Sequence, residues 1–445
     1  MKRARSVALQ GIYRINEEEA YSNLVVNKLL QESNLDKRDR SLATQLIYGV
    51  TRWRNSLDWV INQFANRKVK KMTPWVRNAL RLGVYQINYL DRIPNPVACN
   101  ETVEVAKAHC NRGAIKFING ILRNIIRNLA EITYPSLEED PVQYIRYKYS
   151  QPQWLVQRWR KYFGTEKTIK ICQTLNQIPP MIIRTNTLKL DSEQLISKLE
   201  EEGISAKEVS QVKEAVNLLD YPAIASIDSF QAGNFIVQGL SSMLVAHLLK
   251  PQEDDLVVDL CSAPGGKTTH LAQVMENRGQ INAVELHKAK VNLIKENCQR
   301  LGINNVEFYC DDGREISFTQ QADKILVDAP CSGLGIMAKK PEIRWHKKPQ
   351  DLKELQQLQL ELLNNAASFL KPGGELLYTV CTFTFEETEA VVKKFMNDNP
   401  DFSIVDLKSQ AVTYGLEDYY QTGYLKIVPD TSSWEGFFIA KLTKE

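Results

Sequence analysis

From about residue 255 to the C-terminus, short apolar β-type runs alternate with helical stretches, and this limits the fold of the 445-residue chain more than any other feature. DLVVDL reads as a strand and GKTTHLAQVMEN as a helix; QINAVEL and HKAKVNLIKENCQRLG repeat the pair. VEFYC and DKILVDAP are strands, and DLKELQQLQLELLNNAASFLKPGG is a long helix with a glycine stop. ELLYTVCTF, EETEAVVKKFMND and GFFIAKL complete the series as strand, helix and strand. Such alternation implies a parallel, doubly wound sheet. Ligands of these sheets sit at the carboxyl ends of the strands, where every conspicuous motif of this region falls.

The rest of the chain reads differently. Its length suggests two to four domains at roughly 100–200 residues each. LATQLIYGVTRWRNSLDWVINQF, RNALRLGVYQINYL and NGILRNIIRNL place apolar residues three and four apart with arginines between them, so residues 1–135 read as all-helical. DRIPNP breaks this region, because proline cannot continue a helix. YPSLEEDP then marks a linker. Residues 142–230 read as a small α+β connector: MIIRTNTLKL is β-like, and DSEQLISKLEEEG is a helix with an acidic first turn and a terminal glycine. Residues 231–445 form the α/β domain. Charge follows the same division. Residues 1–140 hold 22 Lys and Arg against 14 Asp and Glu, whereas 231–445 hold 22 against 29. A basic helical front suits a polyanion, and Arg123 and Arg127, four apart on one helix face, are candidates for phosphate contact.

With 43% hydrophobic and 24% charged residues, the composition is that of a soluble globular protein. No window holds the ~18 uninterrupted apolar residues of a membrane span. MKRARSVALQGIYR is basic but lacks the apolar core and cleavage site of a signal peptide, and reads as an amphipathic helix. A cytoplasmic location is expected. The eight cysteines form no C-x-x-C pair and the five histidines are scattered, so no metal site is expected.

DLCSAPGGKTTHLA, residues 259–272, poses the functional question. A P-loop requires G-x-x-x-x-G-K-[ST]; counting back from Gly266 places Cys261 where the first glycine belongs, and Pro264 stiffens the turn. A G-x-G-x-x-G fingerprint is also missing. What remains is a tight strand-to-helix turn, Cys261, Ser262, Ala263, Pro264, Gly265, Gly266 and Lys267, whose glycines let a ligand approach the backbone and whose helix N-terminus can receive a carboxylate. The next strand ends in Glu285, suited to ribose hydroxyls. Asp312, after the third, is placed to accept from an adenine amino group. A ribose-and-adenine site without a phosphate cradle points to S-adenosylmethionine.

DLCSAPGGKT, DAPCSG and the YTVCTF strand end resemble motifs of the RNA cytosine-5 methyltransferase family. RDRSLATQLIYGVTRWRNSLDWVI, LRLGVYQINYLDRIPNPVACNETVEVAK and KFINGILRN resemble the N-terminal helical domain of its RsmB branch, itself similar to the RNA-binding antitermination factor NusB; RTNTLK and GNFIVQGLSS also fit. The resemblance covers nearly the whole chain. It implies a Rossmann-like α/β S-adenosylmethionine-dependent methyltransferase domain with a mixed, mostly parallel sheet, preceded by an all-α NusB-like domain and the α+β connector. It implies methylation of carbon 5 of a cytosine in 16S ribosomal RNA before subunit assembly is complete, by a monomer with no membrane or DNA partner. Transfer RNA, large-subunit ribosomal RNA and a non-catalytic RNA-binding role are the alternatives. By resemblance Cys381 is the nucleophile, Cys331 assists proton removal and release, and Asp328, which also borders the cofactor, hydrogen-bonds the cytosine. Lys267 is a further polar contact. Val380 departs from the family's usual threonine, which removes a hydroxyl and leaves the nucleophile.

Overall fold

The computed structural model describes residues 4–431 and 434–445. They form two compact units, one running to Gln177 and including Met337–Lys347, the other comprising Ile178–Ile336 and Lys348–Glu445.

The first unit is helical. Its helices are α1 (Ala4–Glu17), α2 (Ser22–Gln31), α3 (Lys37–Arg52), α4 (Arg54–Phe64), α5 (Pro74–Tyr89), α6 (Asn95–Ala106), α7 (Arg112–Arg127), α8 (Pro141–Lys148) and α9 (Gln153–Asn176). Local chemistry sets their ends. Asp36 caps α3 by accepting from the Asp39 N–H at 2.8 Å, Asn111 caps α7 through Ala114 at 2.9 Å, and α5, α6 and α8 carry proline in their first turn. On α7, Ile118, Leu122 and Ile125 form a buried stripe at four- and three-residue spacing, which leaves Arg123 and Arg127 exposed. Helices α8 and α9, the first part of the connector expected over 142–230, pack within this unit, α8 against α4 and α9. Within α9, Gly164 adopts φ 76° and kinks the helix.

The excursion Met337–Lys347 is built into the same unit through Arg344. Its buried guanidinium donates to the Asn176 side chain at 2.8 Å and to the Leu175 carbonyl at 3.0 Å, while the Trp345 indole donates to the Thr51 carbonyl at 2.7 Å. A charged group this deep is held by the carbonyls that replace its water.

The second unit begins with an antiparallel sheet of order β2-β3-β1-β4, made of β1 (Met181–Thr185), β2 (Ser205–Glu208), β3 (Ala215–Asp220) and β4 (Phe235–Val237), with helices α10 (Ser192–Glu201) and α11 (Asp228–Gln231). Helix α12 (Leu240–Leu249) leads into a nine-stranded sheet. There β5 (Leu256–Asp259), α13 (Gly266–Val274), β6 (Gln280–Val284), α14 (Lys288–Leu301), β7 (Val306–Tyr309) and β8 (Ala322–Asp328) follow in turn. After the excursion, whose short helix is α15 (Ile343–His346), come α16 (Asp351–Ser368), β9 (Leu370–Val380), α17 (Glu389–Asp398), β10 (Phe402–Val405), α18 (Lys408–Thr413), β11 (Tyr420–Gln421), β12 (Tyr424–Ile427) and β13 (Phe437–Lys444).

Strands β7, β6, β5, β8 and β9 are parallel neighbours in that order, and β13 runs antiparallel beside β9, carrying β12 and β10. From β5 the chain proceeds to β6 and β7 on one side, then returns to β8 and β9 on the other. This reversal makes the β5–β8 boundary the switch point, where α/β sheets open a crevice for ligands. The alternation predicts the parallel core; the antiparallel β10–β12 had not been read from the sequence.

Candidate active site

Each of the five parallel strands delivers one expected group just beyond its carboxyl end. The cofactor turn follows β5, Glu285 follows β6, Asp312 lies three residues past β7, Asp328 ends β8 with Cys331 in the next turn, and Cys381 directly follows β9.

The turn after β5 is fixed from below. Ser262 donates from its N–H at 3.0 Å and its hydroxyl at 2.9 Å to the Val284 carbonyl at the end of β6. Gly265 has φ 95°, and a Cβ there would meet Ile294 Cγ2 at 3.1 Å, so glycine is required by conformation and by space. Gly266 meets nothing nearer than 3.9 Å in the direction of a Cβ, which leaves its backbone approachable. Thr268 donates to Asp259 at 2.7 Å; burial, reinforced by the charge of Asp328, pushes the Asp259 carboxyl up to about 7. Burial, with Asp259, Asp328 and Glu285 nearby, raises the Cys261 thiol well above its ordinary value. Cys261 is therefore a thiol here, and it contributes to the turn through its backbone.

Glu285 is largely buried, and one of its oxygens accepts from the His287 N–H at 3.1 Å. That leaves acceptor capacity for a diol. Asp312 is already engaged: Arg314, two residues on, donates to it from its guanidinium at 2.6 Å, and this bond holds the carboxyl below its ordinary value. To receive an adenine amino group, Asp312 must use lone pairs that Arg314 leaves over. The residues thus fit S-adenosylmethionine: glycine backbone at the turn for the amino-acid part, Glu285 for ribose hydroxyls and Asp312 for adenine.

On the other side of the switch point lies a second cluster, of Lys267, Asp328, Cys331 and Cys381. Asp328 accepts from Lys267 Nζ at 2.6 Å and from the Thr379 hydroxyl of β9 at 3.0 Å. Burial works against the Lys267 ammonium, but the charge and hydrogen bond of Asp328, with a further contribution from Cys381, outweigh it and raise its pKa. Lys267 also lies 5.5 Å from the centroid of the Phe437 ring. Cys331 Sγ and Cys381 Sγ are 3.1 Å apart, and no disulfide joins them. The hydrogen bond to Cys381 comes first among the causes that raise the Cys331 thiol well above its ordinary value, followed by burial and by the charges of Cys381 and Glu387. Gly335 seals the turn: its N–H donates to the Cys381 carbonyl at 3.0 Å, and a Cβ would fall 1.9 Å from the Gly436 carbonyl oxygen.

Three supporting residues escape a sequence reading. Thr379 is one of several hydroxyls in TVCTFT, and nothing in its spacing singles it out. Glu387 lies in a run of acidic residues that reads as a solvated helix start, yet it is fully buried. Arg184, in the RTNTLK segment, is also buried and donates to the Gly266 carbonyl at 2.6 Å and to the Thr269 hydroxyl at 3.0 Å. The connector sheet thereby holds the first turn of α13.

Comparison with known proteins identifies the domains. Residues 246–443 match the family described as 16S rRNA methyltransferase RsmB/F, residues 2–127 the NusB family, and residues 151–225 the ferredoxin-like domain of RsmF/B-like methyltransferases. The chain is 37% identical to the probable ribosomal RNA small subunit methyltransferase B of Bacillus subtilis, over 99% of this chain and 98% of that one. It is 33% identical to the ribosomal RNA small subunit methyltransferase B of Escherichia coli O1:K1, with the same coverage. Among solved structures, that of PH0851 superposes with a TM-score of 0.83 at 29% identity, covering 99% of each chain. With relatives aligned from end to end over a helical front, a connector and an α/β sheet, the chain belongs to the 16S rRNA methyltransferase RsmB/F family and uses S-adenosylmethionine as its cofactor.

Proposed function

We propose that the chain methylates carbon 5 of a cytosine in small-subunit ribosomal RNA through a covalent adduct at Cys381. One observation carries this reading: two thiols 3.1 Å apart at adjacent strand ends, beside a Lys267–Asp328 pair at 2.6 Å. Carbon 5 of cytosine is a poor nucleophile. Addition of a thiolate to carbon 6 makes it enamine-like, which divides one hard step into easier ones. Bound S-adenosylmethionine supplies the electrophilic methyl group.

The chain's own groups supply the rest. The Lys267 ammonium attracts negative charge at Cys381 and so favours its thiolate, the reactive form. Asp328 is placed to accept from the cytosine amino group and so to orient the ring. Cys331 keeps its proton while Cys381 attacks. Once Cys381 is a thioether, the charge and hydrogen bond that raised Cys331 are gone; Cys331 can then ionise, take the carbon-5 proton and permit elimination of Cys381. The target base must leave its stack to reach these groups, so single-stranded or bulged RNA is the substrate. Exposed Arg123 and Arg127 on α7 suit RNA phosphates. The reading is also supported by relatives named for the small-subunit RNA.

The test is the Cys331→Ala variant mixed with a small-subunit ribosomal RNA fragment and cofactor. Attack and methyl transfer remain available while elimination is hindered, so a protein–RNA complex that survives denaturing electrophoresis should accumulate. Adduct in Cys381→Ala and none in Cys331→Ala would exchange the roles.

A further inference from the structure

Glu387 takes no part in the steps above, yet four donors converge on its buried carboxylate. Oε1 accepts from the Ser332 N–H at 2.7 Å and from Gln359 Nε2 at 3.3 Å; Oε2 accepts from the Ser332 hydroxyl at 2.6 Å and the Thr384 hydroxyl at 2.7 Å. Ser332 directly follows Cys331, and Thr384 lies three residues beyond Cys381. The Ser332 and Thr382 hydroxyls are themselves 3.1 Å apart, and the Glu387 carbonyl accepts from the buried Tyr378 hydroxyl of β9 at 2.7 Å. One carboxylate thus joins the turn after β8 to the turn after β9. An ionised carboxylate offers acceptors alone, which matches four inward-pointing N–H and O–H groups; these bonds offset the cost of burying its charge.

We propose that Glu387 is a positioning residue that clamps the two thiol-bearing turns together and makes their thiols unequal. This rests on the reading that both thiols act in the reaction. Charge is distributed accordingly: the Lys267 ammonium favours ionisation at Cys381, whereas the Glu387 carboxylate, behind the larger effects of Cys381 itself and of burial, opposes it at Cys331.

The test uses full-length protein and limiting iodoacetamide without RNA, with alkylation of each cysteine measured by mass spectrometry. In the wild type, Cys381 should react ahead of Cys331. Glu387→Gln retains the shape and removes the charge. It should fold, lower the Cys381-over-Cys331 preference at least about fivefold as thiolate character is shared, and lower kcat at least about tenfold with the KM for cofactor within about twofold. Glu387→Asp keeps the charge and shortens the reach; it should preserve the alkylation preference while kcat falls, and it decides the matter if Glu387→Gln does not fold. Wild-type preference and kcat in Glu387→Gln, or wild-type kcat in Glu387→Asp, would overturn the assignment. A wild type that makes no 5-methylcytosine, with the preference still shifting in Glu387→Gln, would remove the proposed reaction and leave the role of Glu387 standing.

Discussion

Helix α13 has a polar cluster at each side of its first turns, and the two are built from similar residue types to opposite ends. At Lys267, an ammonium, the Asp328 carboxylate and two thiols meet where side chains keep some access to solvent, 15% for Lys267 and 24% for Asp328. Three residues on, His270 is 1% exposed and shares Glu214 with His247: Glu214 Oε1 accepts from His247 Nε2 at 2.6 Å and from His270 Nε2 at 2.9 Å. Donor atoms of these three residues lie within 4.8 Å of one another, a spacing that a metal ion can also use. Here the imidazole N–H groups already occupy the carboxylate, and its charge acts on the buried Arg184 nearby. The first cluster keeps its ion pair partly exposed beside the two thiols. The second centres on the buried Glu214 and His270, with His247 at its rim, 28% exposed. Residue type therefore does not separate the two clusters; the burial of the carboxylate does, 7% exposed at Glu214 against 24% at Asp328.

The largest effect belongs to the open cluster. Cys381→Ala should bind RNA and cofactor yet form neither product nor adduct, a loss of at least about a thousandfold in turnover, as expected for removal of a nucleophile. Methyl incorporation and denaturing electrophoresis measure both outcomes. Retained turnover would take thiol chemistry away from this cluster and end the contrast.

Next comes the Glu214 cluster. Arg184→Met leaves the Gly266 carbonyl, Thr269 and Gln238 without their shared donor and Glu214 without its balancing charge. Leaving a buried acceptor unpaired costs about 1–3 kcal/mol, so the urea midpoint should fall markedly while the folded fraction keeps its kcat. A large fall in kcat at unchanged stability would make Arg184 part of the chemistry.

Sequence and structure diverge where partners are distant. DLCSAPGGKT, DAPCSG and YTVCTF were legible because each motif is a strand end followed by its own turn, so the functional residue and the element that presents it are neighbours in the chain. Glu387 was not, since its meaning lies in Ser332, 55 residues earlier. Arg184 and Gly266 are 82 apart, and Glu214 is 33 from His247. MAKKPEIRWHK carries no helical or strand period, so its incorporation into the helical unit through Arg344 left no local mark. Asp312 shows the converse. Its position at a strand end was readable, but its engagement by Arg314 depends on a turn conformation that sequence does not specify.

Lys267→Met gives a third, smaller effect. It removes the ammonium that balances Asp328 and favours the Cys381 thiolate, and losing one such electrostatic partner typically costs about a hundredfold in kcat. Stability should fall less than in Arg184→Met, because Asp328 loses its ion-pair partner but keeps the Thr379 hydroxyl bond and some access to solvent. Alkylation of Cys381 should slow in parallel. If stability falls as it does for Arg184→Met while kcat holds, the two clusters are alike and the distinction by solvent access fails.

The smallest effect tests how the Glu214 cluster responds to acid. Burial, helped by the Arg184 charge, lowers the His270 pKa to about 3, although Glu214 opposes the shift. In the unfolded chain His270 titrates near its ordinary value of about 6.5. Folding therefore holds His270 neutral, and its contribution is fully present above about pH 6.5. As pH falls below that value the unfolded state gains a proton that the folded state refuses, and stability declines until the folded histidine titrates near 3. At 1.36 kcal/mol per unit, the loss between neutral pH and pH 5 is about 2 kcal/mol. Glu214 adds little over this range: burial would raise its carboxyl, but the two imidazole N–H bonds outweigh burial and hold it below its ordinary value, so its contribution is lost at still lower pH. Urea unfolding of the wild type and of His270→Asn at pH 7.5 and pH 5 separates the terms. The variant should start less stable, because Glu214 loses an imidazole donor, and should lose correspondingly less on acidification. Parallel losses in the two proteins would place the acid sensitivity elsewhere and show that His270 is not held neutral by the fold.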